Sequence, residues 1–236
     1  MKQAFILLFI IFIGYSSNNP RSTNQFFSLK TYNLKGKVEY ISDKKILSLL
    51  SADGQIAPYI NELTTIQNIF FDKNGLLTLV DVFDKDSVLL LKSKINRSGS
   101  GEYLGSRHFD KEGNLIKETR IISSTANSLE TEIFDCKSGK LASKLKTVYE
   151  NHLPKKQYSA FVEQNYSSEE DYKRDSRGNE IEITTIIEMD DQEKEDKSFV
   201  TYLEFDEYGN WIKRMVHNKK DGNECLLTIR TIKYYE

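Results

Sequence analysis

A phrase built on Asp-x-x-Gly recurs along this 236-residue chain and constrains its fold more than any other feature. It runs from Phe71 to Leu77, from Phe109 to Glu118 and from Phe205 to Lys213, and a copy without the leading aromatic runs from Asp175 to Ile181. A looser copy, Phe134 to Leu141, has an extra residue before its glycine. In each, Asp can bond the backbone of a turn, and Gly75, Gly113, Gly139, Gly178 or Gly209 can take the positive φ of a left-handed bulge. The phrase is therefore a hairpin corner. A row of corners makes an antiparallel meander. Tyr149 to Lys156 reads as a related corner without glycine.

The segments between corners have the period of strands. Val38 and Tyr40 alternate with Glu39; Ile181, Ile183, Thr185, Ile187 and Met189 share one face, while Glu182, Thr184 and Glu188 share the other. That is the pattern of a sheet with one side toward solvent. The best helical candidate is Asp43 to Ala52, although the Asp53-Gly54 that follows suits a tight hairpin equally well. The expected fold is all-β, an antiparallel meander of repeated hairpins forming a curled or extended sheet. The 13 Tyr and 13 Phe against three Pro agree with strands rather than disordered linker.

The N-terminus sets the compartment. Met1-Lys2-Gln3 precedes an unbroken apolar run from Ala4 to Ile13, and Gly14 and Ser16 supply small residues, as in a secretory signal cut after Ser16. A run this short falls below the roughly 20 apolar residues of a spanning helix. The alternative is an uncleaved anchor extended through Tyr15; both place the body outside the cytoplasm, in the periplasm or beyond the cell. No cysteine follows the run to carry a lipid, so no lipid anchor is expected. The domain reading is residues 1–16 as signal peptide, 17–33 as flexible tether and 34–236 as a single hairpin-repeat domain. Cys136 and Cys225 could pair in an oxidising compartment, although their proximity is not guaranteed by the pattern.

The phrase Phe-Asp-x-x-Gly-Asn-x-Ile-Lys, carried by Phe109 to Lys117 and by Phe205 to Lys213, resembles the YD repeats of RHS-type proteins. It is also similar to short exported proteins of Bacteroidetes-type bacteria, in which Leu34 to Val38 would mark the first strand. The resemblance covers most of the chain after Leu34. In large RHS proteins such repeats wind into a hollow β shell around a toxin, whereas this chain carries too few repeats to enclose anything. The resemblance implies a fold and an exported bacterial setting, with no catalytic residues attached.

No constellation of residues points to chemistry. His108, His152 and His217 show none of the close spacings that place two imidazoles on one metal, so no metal or cofactor is expected. Ser98 to Gly105 is glycine-rich, but its spacing is not that of a phosphate loop and no helix follows; it reads as a flexible connection. Glu188 to Lys197 concentrates carboxylates without the ligand order of a calcium loop and reads as a solvated hairpin tip. With 33 basic and 35 acidic residues the formal charge is -2, which gives no field to draw nucleic acid or an anionic membrane.

What remains is a surface. The sequence predicts a non-enzymatic exported binding or interaction module of the bacterial cell envelope, with a protein or glycan partner. Trp211, the only tryptophan, and Tyr208 flank the last corner and are the expected partner contacts. For Trp211 the competing reading is packing between hairpins. Two other functions stay open: an envelope immunity or toxin-associated protein, and a hydrolase built from scattered carboxylates.

Overall fold

The structure, a computed structural model, describes residues 27–51, 56–58, 65–190, 192–218 and 223–236. The proposed signal sequence and the Asp53-Gly54 turn lie outside those residues. Fifteen strands follow one another among the described residues: β1 (Val38–Leu50), β2 (Ile56–Pro58), β3 (Thr65–Phe71), β4 (Leu77–Phe83), β5 (Leu89–Arg97), β6 (Tyr103–Phe109), β7 (Leu115–Ser124), β8 (Ser128–Asp135), β9 (Leu141–Glu150), β10 (Leu153–Phe161), β11 (Tyr166–Arg174), β12 (Glu180–Met189), β13 (Gln192–Phe205), β14 (Trp211–Asn218) and β15 (Glu224–Tyr234). Each of β3 to β15 pairs antiparallel with its neighbour in the chain, as a meander should. The helical candidate is strand, because Asp43 to Leu50 lies in β1.

The sheet does not stay open. β1 pairs with β3 on one side and with β15 on the other, in a ladder running from Val38↔Tyr234 to Leu49↔Glu224. β2 adds only Ser48↔Pro58 to Leu50↔Ile56 alongside the end of β1, so the ring has fourteen members. The expected curled or extended sheet is thus a closed barrel, and closure removes both edges. It also overturns the resemblance to RHS-type repeats and the expectation that nothing could be enclosed, since the hairpins close on themselves around a core.

The corners form as their local chemistry dictates. At the first, Asp72 N–H donates to the Leu76 carbonyl, Gly75 N–H donates to the Asp72 carbonyl, and Asn74 N–H and Leu76 N–H donate to Asp72 Oδ1 at 2.8 and 2.9 Å. Asp110, Asp175 and Asp206 repeat this arrangement, and Asp135 does so with its extra residue. All five glycines have φ between 68° and 87°. Two further corners share the geometry. Asp84 to Val88 uses Ser87 at φ 62° in place of glycine, and Ser98 to Glu102 uses a serine hydroxyl in place of the aspartate, so the expected flexible connection is an ordered turn. Asn151 and His152, both at positive φ, join β9 to β10 without glycine.

A ring of fourteen strands is wide enough to leave an open lumen, since eight already suffice to be filled by side chains. Here the side lined by β1 and β3 to β9 is filled. Inward residues of β1, β3 to β6, β8 and β9, among them Ile41, Ile69, Val80, Leu91, Leu129 and Tyr149, form one buried cluster, against which Ile116 and Ile121 of β7 pack partly buried. The cluster includes Phe27, Tyr32 and Leu34 from the segment before β1. The tether therefore ends earlier than expected, because from Phe27 onward the chain is part of the body.

Candidate functional site

The strand directions divide the corners between two ends. The turns at Gly75, Gly178 and Gly209 lie at the end where β1 begins, and those at Gly113 and Gly139 at the other. The segment from Phe27 to Lys37 crosses the first end as a strap, with a short 3-10 helix at Leu29–Tyr32. Its Phe27 carbonyl accepts from Leu77 N–H at 2.7 Å and from Arg97 Nη2 at 2.9 Å, and its Leu29 N–H donates to the Gly75 carbonyl. Further along, Asn33 Nδ2 reaches the Arg177 carbonyl and Asn179 Oδ1, each at 3.2 Å. Lys35 N–H donates to Asn210 Oδ1 at 2.7 Å, and Asn210 Nδ2 donates to the Lys35 carbonyl at 3.0 Å. The strap thus touches all three Asp-x-x-Gly corners of its end, and Phe27 and Tyr32 pack below it against Tyr103 and Phe71.

The two sequence-predicted contacts part company here. Tyr208 is 46% exposed on the corner and packs against Tyr234, the rings tilted by 37° with centroids 4.4 Å apart. Trp211 is buried at 8% and faces inward, which corrects its expected place on the outer surface. Its ring lies 3.5 Å from the Arg230 guanidinium carbon and 4.5 Å from that of Arg214, so the cations of β14 and β15 hold it inside. Sequence reasoning could not place it, since the bulge at Glu204/Phe205 shifts the register just before this corner.

Around Trp211 the interior is ionic. Arg230 Nε and Nη2 each lie 2.7 Å from a different oxygen of Asp43, a buried bidentate pair linking β15 to β1. Glu180 takes Arg174 on one oxygen and Arg214 on the other, both at 3.1 Å. The Tyr172 hydroxyl donates to Glu170, whose carboxyl is pushed up by burial. Burial lowers the Lys45 ammonium to about 8; Asp43 opposes the shift, and Arg214 and Arg230 add to it. None of these residues stood out in the sequence. The signal was present as charged residues at inward positions of alternating strands, but inward could not be told from outward before the barrel closed.

The opposite half of the core holds a neutral polar node. His108 Nδ1 is 2.8 Å from Ser93 Oγ and its Nε2 is 2.8 Å from Thr119 Oγ1, all three buried. Burial, with Lys117 adding to it, pushes the imidazole down to about 4. The serine has no exposure and no carboxylate joins the ring, so the node joins β5, β6 and β7 rather than presenting a nucleophile.

The outer wall is charged in mid-strand. Lys146 and Lys144 of β9 pair with Glu130 and Glu132 of β8 at 2.6 and 2.9 Å, and Arg107 and Arg120 flank Glu118 on β6 and β7. Lys156 meets Glu169, and Lys197 meets Glu182, between β10 and β13. A wall in lipid needs an apolar band about 25 Å tall, and lysine or arginine at its midplane costs about 2–4 kcal/mol each. The strands from β6 to β13 lack such a band. A shallow groove of about 500 Å³ lies on this wall, with Ile122, Tyr158 and Ile186 among the ion pairs. The acidic run is mostly strand rather than loop, since β13 begins at Gln192. Cys136 is exposed, Cys225 is buried, and both are free.

No family model matches the chain, and no curated protein matches it. Among solved structures, a porin-like protein from Bacteroides uniformis aligns with a TM-score of 0.49 and 8% identity over 83% of this chain and 98% of its own. A porin-like protein from Bacteroides vulgatus aligns with a TM-score of 0.46 and 10% identity over 85% and 99%.

Proposed function

We propose that this protein is an exported, non-enzymatic binding module of the bacterial cell envelope that stands in water. The observation that supports this reading is the charged outer wall around a strapped barrel whose β1 to β9 side is filled. A pore would need an open lumen, and a membrane barrel an apolar belt. The partner is a protein or glycan that docks on the strapped end, where Tyr208 offers an exposed aromatic already braced by Tyr234. The toxin-associated alternative rested on the RHS resemblance and has no support once that is gone.

Fractionation and capture test this together. Expressed with its own N-terminus, the protein should leave the envelope without detergent and give no conductance steps in planar bilayers. Envelope extract passed over the immobilised protein should yield a partner that Tyr208→Ala loses while remaining folded. Conductance, or release only in detergent, would return the chain to the membrane. Reproducible turnover of a glycan or peptide by wild type would end the non-enzymatic reading.

A further inference from the structure

The groove on the outer wall has its cause in two neighbouring rows of the sheet. One row runs Lys146, Tyr158, Glu169 and Ile186 from β9 to β12, and the next runs Lys144, Ala160, Ser167 and Glu188. Long side chains fill the first row, whereas Ala160 and Ser167 are small and leave the wall low between Lys144 and Glu188. Ile122, the extra residue of the bulge between Ile121 and Ser123 in β7, stands exposed at one end of the groove. The trough crosses the strands instead of following one, so its shape suits a chain molecule rather than a compact ligand.

Its charge is unbalanced toward one end. Five carboxylates and two lysines line the groove, and both lysines are taken, Lys146 lying 2.6 Å from Glu130 and Lys144 2.9 Å from Glu132. Glu169 pairs with Lys156. Glu188 and Glu193 are left directly opposite each other on β12 and β13, a like-charge pair across the strands, and Glu188 receives the Ser167 hydroxyl at 2.9 Å rather than a cation. A second groove of about 320 Å³ continues through Glu169 and Ile186 toward the strapped end, and there Lys155, Lys156 and Lys173 match Glu169, Asp171 and Glu182. The uncompensated negative charge is thus confined to the part nearest the turn between β12 and β13.

We propose that the groove is a docking site for a basic, extended segment of polypeptide in which lysine or arginine alternates with apolar residues. Its cations meet Glu188 and Glu193 and relieve their mutual repulsion, and its apolar side chains cover Tyr158, Ile186 and Ile122, which lie along the groove between the charges. An acidic segment would find both lysines committed and two carboxylates opposed to it. The groove lies on the wall from β7 to β13, away from Tyr208 at the strapped end, so this site stands or falls independently of any docking there.

Fluorescence anisotropy of a fluorescein-labelled hexapeptide alternating lysine and valine, titrated with the intact protein, tests this. Its binding should saturate and should weaken as salt screens the charges. Hexapeptides alternating glutamate with valine, or lysine with serine, should bind at least about tenfold more weakly. Glu188→Gln and Glu193→Gln made together should weaken binding about fivefold or more, and Tyr158→Ala about tenfold. Tyr208→Ala should leave the affinity unchanged. Circular dichroism checks the fold of each variant, and if Tyr158→Ala does not fold, the glutamine pair on the exposed wall decides. Equal affinity for the glutamate or the serine peptide, or wild-type affinity in the doubly substituted protein, would overturn the proposal. Loss of binding in Tyr208→Ala would move the peptide to the strapped end and overturn it as well.

Discussion

The two ends of the barrel are built from the same phrase and use it differently. At the strapped end, a Cβ added at Gly75 would come within 3.0 Å of Leu29 Cδ1, at Gly178 within 3.0 Å of Leu153 Cδ1 and 3.3 Å of Asn33 Nδ2, and at Gly209 within 3.2 Å of Lys35 Nζ. At the far end, a Cβ at Gly113 or Gly139 would meet nothing within 4 Å. The asparagine after the glycine divides in the same way. Asn114 bonds back to Asp110 and is exposed, whereas Asn210 is buried at 2% and also bonds both Lys35 backbone groups and the Tyr234 hydroxyl. One local motif makes a free-standing corner where nothing covers it, and a receptor for the strap where something does.

The largest effect expected from this asymmetry is on the strap. Phe27→Ala should cost about 3–5 kcal/mol in chemical denaturation, by the cavity it leaves against Tyr103 and the rest of the core. A loss below about 1 kcal/mol would mean the strap rests on the barrel without stabilising it. Next comes the matched pair of asparagines. Asn210→Ala should lose about 3 kcal/mol, because it strands buried groups on Lys35, and Asn114→Ala should lose no more than about 0.5 kcal/mol. Equal losses would erase the distinction between the ends.

The half away from the buried ion pairs should respond to acid through His108. Its folded pKa of about 4 lies below the ordinary 6.5, so the unfolded chain takes up the proton first. Stability is full above pH 6.5 and falls as the pH drops to about 4, by up to about 3 kcal/mol, with no further loss from this group below that. Urea midpoints measured across that range should flatten in His108→Gln, and an equal slope in both proteins would remove His108 as the cause. The smallest effect is the glycine contrast. Gly113→Ala pays only for positive φ, about 1–2 kcal/mol, and Gly75→Ala should cost about 1 kcal/mol more because Leu29 must move.

Much of this architecture was legible in the chain because its causes are local. Asp72, Asp110, Asp135, Asp175 and Asp206 each bond amides within four residues, so their corners need no information from elsewhere. The corners at Ser87 and Gly101 use the same bonds with the polar or the left-handed residue exchanged, and a pattern fixed on Asp and Gly passes over them. Asp43 to Leu50 was ambiguous because Asp43, Lys44 and Lys45 in succession break the alternation. Inside the barrel those charges have a reason: Asp43 and Lys45 point into the ionic interior and Lys44 outward.

By itself, then, the sequence determined the strands, the sites of their turns and the antiparallel order, all of which follow from contacts between near neighbours. Closure, the strap and the inward place of Trp211 were decided only by the tertiary structure. The β1–β15 ladder joins residues nearly the whole chain apart, such as Val38 and Tyr234, and no periodicity distinguishes an edge that will find a partner from one that will not. Once the ring closes, alternation acquires an inside. The same Arg, Asp, Lys and Trp that would be solvated on an open sheet are then held together, where each must find a counter-charge or a ring face.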